Sequence, residues 1–251
     1  MTLAIMTVQR DPEYLFRTLS SLFMADPRMH ELGSLHLMVD AEDAAYLDDV
    51  KHHAIARIHP LSPAEGERVR DWGRHRRFNH NCVRCLCLPV DPGGGLVVVE
   101  DDVVFRDRFL TRLISTVDEI EDVANIRDYA LALTTAYDLE REPSFFRGAL
   151  YCSYGHPFYG TQAMYYPAAV ARNLADFIRE RGVEAFTKPG DLLVGESYGD
   201  RMYACAWPLA THIGRVSTGL GGCGPSPGFA RPHEPLTLET WGRPVGNSAE
   251  A

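Results

Sequence analysis

Three consecutive acids, Glu100, Asp101 and Asp102, end the apolar run "LVVV" within the stretch "LVVVEDDVVF". Adjacent carboxylates repel one another, and each costs several kcal/mol, on the order of ~3–5, if it is buried without a partner. A divalent cation removes that cost. Hard ions such as Mg²⁺ or Mn²⁺ take oxygen ligands of this kind and can bridge the phosphates of a nucleotide. A solvent-exposed turn after a buried strand is the other reading of the same residues, and the triplet alone does not separate the two.

Two further polar clusters follow apolar runs. Thr7 to Arg10 follow "TLAIMTV", and Asp40 to Asp43 follow "SLHLMV". Both runs read as buried strands, and "LVVVE" is a third. Between them, Asp11-Pro12-Glu13 has the chemistry of a helix start, with Leu15, Leu19, Leu22 and Phe23 on its buried face. "RRFNHNCVRCLCL" predicts a helix whose polar side carries Arg76, Arg77, Asn79, Asn81 and Arg84. "RFLTRLISTVDEI" predicts another through Phe109, Leu110, Leu113, Ile114 and Val117. Strands alternating with helices imply an α/β fold with a mainly parallel central sheet, and such sheets bind ligands at the carboxyl ends of their strands. All three polar clusters then converge on one edge.

The second half reads differently. "YALALTTAYD" and "TQAMYYP" are strand-like and flank an aromatic loop through Phe145, Phe146, Tyr151, Tyr154, Phe158 and Tyr159. A helix starts at Pro167 and stops at Gly182, with Val170, Leu174, Phe177 and Ile178 inward. "GDLLVGESYGDRMY" predicts a short helix, with a strand near "CAWPLATHIG". No Pro/Gly linker separates the halves. One domain over residues 1–244 is expected, with halves at 1–105 and 106–244 and a frayed tail at 245–251.

Composition narrows the function. The chain has 251 residues, 45% hydrophobic and 24% charged, with a net charge of −9, which disfavours a general nucleic-acid or anionic-membrane binder. The apolar run at the N-terminus is too short for a membrane span, so a cytoplasmic protein with reduced thiols is expected. Cys82 and Cys85 have the spacing of a zinc knuckle. No second pair follows, and they share a helical stripe with Phe78 and Leu86, which favours core packing.

The ordered set of motifs resembles glycosyltransferases of the GT-A fold, in which an acidic triplet ends a central strand and holds the metal of a nucleotide-sugar. The nearer resemblance is to the N-acetylglucosaminyltransferase IV family. "RHRRFNHNCVRCL" precedes "LVVVEDDVVF", and "KPGDLLVG" and "HIGRVSTG" follow in the same order. The likeness covers roughly residues 3 to 220. Asn81 stands where that family has an acid, and the secretory anchor and lectin-like tail of its animal members have no counterpart here.

The resemblance implies a single GT-A-type domain, with 1–105 as its nucleotide-sugar half and 106–244 as its acceptor half, and a transferase that takes a UDP-linked donor, UDP-GlcNAc by the family's name, with Mn²⁺ or Mg²⁺. The acceptor would be a glycan or small-molecule hydroxyl. Asp102 would ligate the metal, with Glu100 and Asp101 reaching the ribose or metal-bound water. Thr7, Gln9 and Arg10 would line the base pocket, and Arg77 would contact the nucleotide. Asp40 would accept the uracil N3–H or is a turn acid. The cluster Arg74, Arg76 and Arg77 is otherwise a solvated basic face. His212 would complete the metal shell or touch the pyrophosphate. Asp191 would be the general base of an inverting transfer, or else a helix N-cap, with Glu196 as the reserve base. The aromatic loop would face the acceptor. A nucleotidyltransferase or a non-catalytic sugar-binding module are the alternatives; the first lacks its Gly-rich phosphate loop here.

Overall fold

The computed structural model describes residues 1–8, 13–48, 57–134, 150–153, 160–182 and 190–214. Gln9, Arg10, the predicted helix start at Asp11-Pro12, most of the aromatic loop, the first residues of "KPGDLLVG", the last residues of "HIGRVSTG" and the tail lie outside them.

The strands are β1 (Thr2–Thr7), β2 (Ser34–Val39), β3 (Arg57–His59), β4 (Gly95–Glu100), β5 (Val103–Phe105), β6 (Ala130–Ala132), β7 (Tyr151–Ser153), β8 (Ala163–Pro167), β9 (Met202–Cys205) and β10 (Ala210–His212). The helices are α1 (Glu13–Ala25), α2 (Pro63–Val69), α3 (Arg74–Leu86), α4 (Phe109–Asp118), α5 (Ala168–Glu180) and α6 (Gly190–Tyr198). The main sheet has the order β3-β2-β1-β4-β8-β6-β9-β7, and β5 pairs with β10 in a separate two-stranded ribbon. β1, β2, β3 and β4 are mutually parallel, as are β6 and β9. β8 runs antiparallel between β4 and β6. Strands from both halves of the chain therefore share one sheet.

Helices cover both faces, which is why the strands are apolar throughout instead of alternating. Along β4, Leu96 and Val98 join a core with α3, α5 and α6. Val97 and Val99 join the opposite core with α1 and α4. Burying each such aliphatic side chain contributes roughly 1.5–3 kcal/mol before entropy is counted. α2 starts at a complete capping box, in which Ser62 and Glu65 satisfy each other's backbone amides, with Pro63 in the first turn.

Cys82 and Cys85 are buried core residues of α3, and burial pushes the Cys82 thiol up to about 12. That is the packing their stripe predicts. Two expectations change. Phe23 is 41% exposed, its place toward the core being taken by Leu22 and Ala25. Asn79 and Asn81, placed on the polar side of α3, are 1% and 3% exposed. Asn81 is buried because its Nδ2 donates to the Met38 carbonyl at 2.9 Å, where β2 runs out.

Candidate active site

Parallel pairing of β2, β1 and β4 brings Val39, Thr7 and Glu100 to the same edge of the sheet. The acidic triplet divides there. Asp101 turns back toward β1: Thr7 donates its hydroxyl to Oδ2 at 2.6 Å, and the Val8 amide lies 3.4 Å from the same oxygen. Thr18 of α1 donates to the Asp101 carbonyl at 2.8 Å and accepts from the Val103 amide at 3.2 Å. Thr7 and Asp101 are 1% and 5% exposed. The sequence reading gives Thr7 to the base pocket and Asp101 to the ribose or metal-bound water. The structure gives them a buried bond that ties the ends of β1 and β4 together.

Glu100 and Asp102 flank Asp101 in sequence and share a different neighbour. With His212 they offer one ligand atom each, all within 4.8 Å of one another. His212 Nε2 lies 3.2 Å from Asp102 Oδ2, with side-chain exposures of 12% and 6%. The histidine reaches this place through the β5–β10 ribbon, where His212 pairs with Val103 and the Ile213 amide donates to the Asp102 carbonyl at 2.8 Å. Gly214 completes the cradle. A Cβ there would sit 2.3 Å from Asp102 Oδ2 and 2.7 Å from His212 Nε2. Two carboxylates and an imidazole, held together under a glycine, fit a divalent ion such as Mn²⁺.

Asp40 follows β2, and its amide donates to the Thr7 carbonyl at 2.9 Å. Arg77 of α3 donates from Nε to Asp40 Oδ2 at 3.0 Å and from Nη2 to the Asp40 carbonyl at 2.8 Å. Burial raises the Asp40 carboxyl above its ordinary value, and Arg77 opposes that shift. Two turns on, Arg84 donates to the carbonyls of Val39, His59 and Pro60 at 2.9, 3.0 and 2.8 Å. Arg77, Asn81 and Arg84 are spaced for one face of a helix, and that face docks on the strand ends instead of facing solvent. Sequence reasoning missed Thr18, Arg84 and Gly214 as parts of this edge. The 77-81-84 spacing is the only local signal of the three.

The N-terminus of α6 packs on α3: a Cβ on Gly190 would lie 2.9 Å from the Phe78 ring and 3.1 Å from Asn79 Oδ1. Asp191 is in the first turn of α6, not at the N-cap position, and its Oδ1 accepts from the Leu192 amide at 2.9 Å. Phe78 and Asn79 directly follow Arg77 in α3, so the first turn of α6 packs beside the part of α3 that holds Asp40. Asp191 is not a member of the Glu100 cluster. Glu196 is exposed and accepts from Arg181 at 2.6 Å, so the reserve base is held by an arginine on the surface of α6.

No protein-family profile matches the chain, and no curated protein sequence matches it. Solved structures do match. The galactosyltransferase LgtC, solved with donor and acceptor sugar analogues, superimposes with a TM-score of 0.53 at 14% identity over 82% of this chain and 72% of its own. GalNAc-T7, solved with UDP, GalNAc and Mn²⁺, gives 0.55 at 12% identity over 93% of this chain and 46% of its own. Residues 1–349 of S. aureus TarS give 0.50 at 13% identity over 84% of this chain and 60% of its own. The shared feature is the GT-A glycosyltransferase fold. The finer likeness to the N-acetylglucosaminyltransferase IV family rests on the sequence motifs alone. Among the described residues, no helix is long and apolar enough to cross a membrane.

Proposed function

We propose that this chain is a metal-dependent glycosyltransferase that moves a sugar from a UDP-linked donor to an acceptor hydroxyl with inversion. The observation that carries this is the cluster of Glu100, Asp102 and His212 at the carboxyl edge of a GT-A-type sheet. Those three residues would hold Mn²⁺ or Mg²⁺, which when bound neutralises the charge that builds on the departing diphosphate. Asp40, oriented by Arg77, accepts the uracil N3–H. Thr7 and Asp101 act one step back, fixing the strand ends on which Asp40 and Asp102 stand. Asp191 takes the proton from the acceptor hydroxyl as its oxygen attacks the anomeric carbon. The bond from that carbon to the phosphate oxygen breaks, its electron pair leaves with UDP, and the new glycosidic bond forms on the opposite face. The galactosyltransferase and GalNAc-T7 neighbours support the class of reaction.

The test is incubation with a panel of UDP-sugars and Mn²⁺, first without acceptor. Slow release of UDP that disappears in Asp102→Asn is the expected result. Exchange of pyrophosphate in place of UDP release would make the protein a nucleotidyltransferase. Binding of UDP with no release, over a full panel of donors and sugar acceptors, would make it a non-catalytic module.

A further inference from the structure

A cavity of about 710 Å³ opens on the β3 side of α3, and none of Thr7, Asp40, Arg77, Glu100, Asp102, Asp191 or His212 lines it. Its walls include His59, Arg68, Trp72, His80, Arg84 and Arg179, which come from β3, α2, α3, α5 and the turn before α3. Three arginines and one carboxylate, Glu65, thus line it. That carboxylate is already engaged, accepting from the Ser62 amide at 2.9 Å and the Ser62 hydroxyl at 2.7 Å and lying 3.6 Å from Arg84 Nε. Arg84 is thus matched by Glu65, and Arg179 has Asp176 3.5 Å from its Nη1, which leaves Arg68 as the lining guanidinium with no carboxylate partner among the described residues.

The polar atoms indicate what would fill the cavity. Arg68 is exposed, and its Nη2 lies 2.6 Å from His80 Nε2. A guanidinium only donates, so Nε2 accepts and the imidazole proton is on Nδ1. His80 is 6% exposed, and its Nδ1 has no hydrogen-bond partner among the described residues. The Arg76 guanidinium stacks 3.7 Å from the centre of the Trp72 ring and holds that wall in place. Met38, Ile58 and Val83 supply an apolar lining.

We propose that this cavity is a second ligand site, separate from the acidic cluster, for a small molecule that carries a phosphate monoester on an apolar or aromatic body. A phosphate monoester carries about two negative charges near neutral pH and only accepts hydrogen bonds, which suits walls whose charged side chains are three guanidinium donors and one engaged carboxylate. Arg68 presents the free part of its fork to the phosphate, and Arg179 also lines the cavity, with Asp176 3.5 Å from its Nη1 and the Cys87 sulfur accepting from its Nη2 at 2.8 Å. This site does not depend on the proposed transferase activity.

The probe is phenyl phosphate, titrated by calorimetry with EDTA present so that the metal cluster is silent. One saturable site is expected in the wild type. Arg68→Gln should weaken it by at least about tenfold, the loss of a charged hydrogen bond, and Arg179→Gln should weaken it as well. Asp102→Asn should bind as the wild type does. Cys87 lines the same cavity and is exposed, so its alkylation by iodoacetamide, read by mass spectrometry, should slow when phenyl phosphate is added. Arg68 and Arg179 are both exposed, and thermal melts establish that each variant is folded. No saturable binding at millimolar concentration would overturn the proposal. So would binding that survives both arginine substitutions, or binding that is lost in Asp102→Asn.

Discussion

His212 Nε2 lies 3.2 Å from Oδ2 of Asp102, and the backbone beside them is paired, with the Ile213 amide on the Asp102 carbonyl at 2.8 Å. The side chains that form the cluster are therefore positioned by a strand pair, not by a flexible loop. Asp102→Asn should keep the fold and lose Mn²⁺-dependent binding of UDP. Calorimetry with and without Mn²⁺ checks this, and unchanged metal-dependent affinity in the folded variant would refute the role.

Gly214 gives a test that leaves every ligand atom in place. A Cβ added there would lie 2.3 Å from Asp102 Oδ2, well inside contact distance, so Gly214→Ala must push the carboxylate or the imidazole aside. Metal-dependent UDP binding should fall, while UDP binding in EDTA stays the same. A variant with normal Mn²⁺ dependence would show that the cradle has room to spare.

Thr7→Val removes the hydroxyl that donates to Asp101 at 2.6 Å and leaves a buried carboxylate short of a partner. The expected loss is about 1.5–3 kcal/mol of stability in urea unfolding. A smaller change, with donor binding lost instead, would return Thr7 and Asp101 to direct contact with the donor.

Arg77 holds both the side chain and the carbonyl of Asp40. Arg77→Ala should weaken UDP binding by roughly 1.5–3 kcal/mol, because the Asp40 carboxylate proposed to receive the uracil loses its orientation. An unaltered dissociation constant would confine the arginine to supporting the strand end.

Asp191 and its asparagine can both accept from the Leu192 amide, but only the carboxylate can take a proton. Asp191→Asn should melt normally, bind UDP normally and lose at least about a hundredfold in turnover. Near-normal turnover would place the base elsewhere. Glu196 would then have to release Arg181 in order to serve.

Burial, with Arg68 and Arg84 nearby, lowers His80 from 6.5 to about 4. Over that interval the unfolded chain binds a proton that the folded chain does not, so stability rises with pH. It should be complete above about 6.5 and decline as the pH falls toward about 4, with a slope from this group of no more than about 1.4 kcal/mol per unit. His36 and His59, also lowered by burial, act in the same sense. Urea midpoints across this range should show a shallower slope in His80→Gln. An unchanged slope would assign the acid sensitivity to the His36–His59 pair.

Much of the scaffold is legible in the residues themselves. "TLAIMTV", "SLHLMV" and "LVVVE" are apolar on both sides, and such runs persist as strands only where both faces are covered. The stripe of Phe78, Cys82, Cys85 and Leu86 predicts the inner face of α3, and the break from apolar to acidic at Glu100 marks the sheet edge where the cluster sits. Pairings between distant segments decided the rest. β8 lies antiparallel between β4 and β6, a direction that its own residues do not encode. Asp101 parted from its neighbours because Thr7 reached it across the β1–β4 pair, and His212 joined Asp102 because β10 found β5. Hydrophobicity is a property of residue type and leaves a local periodic trace. Register between strands is set by backbone hydrogen bonds and by the packing of the layers around them, and these mark no single stretch of sequence.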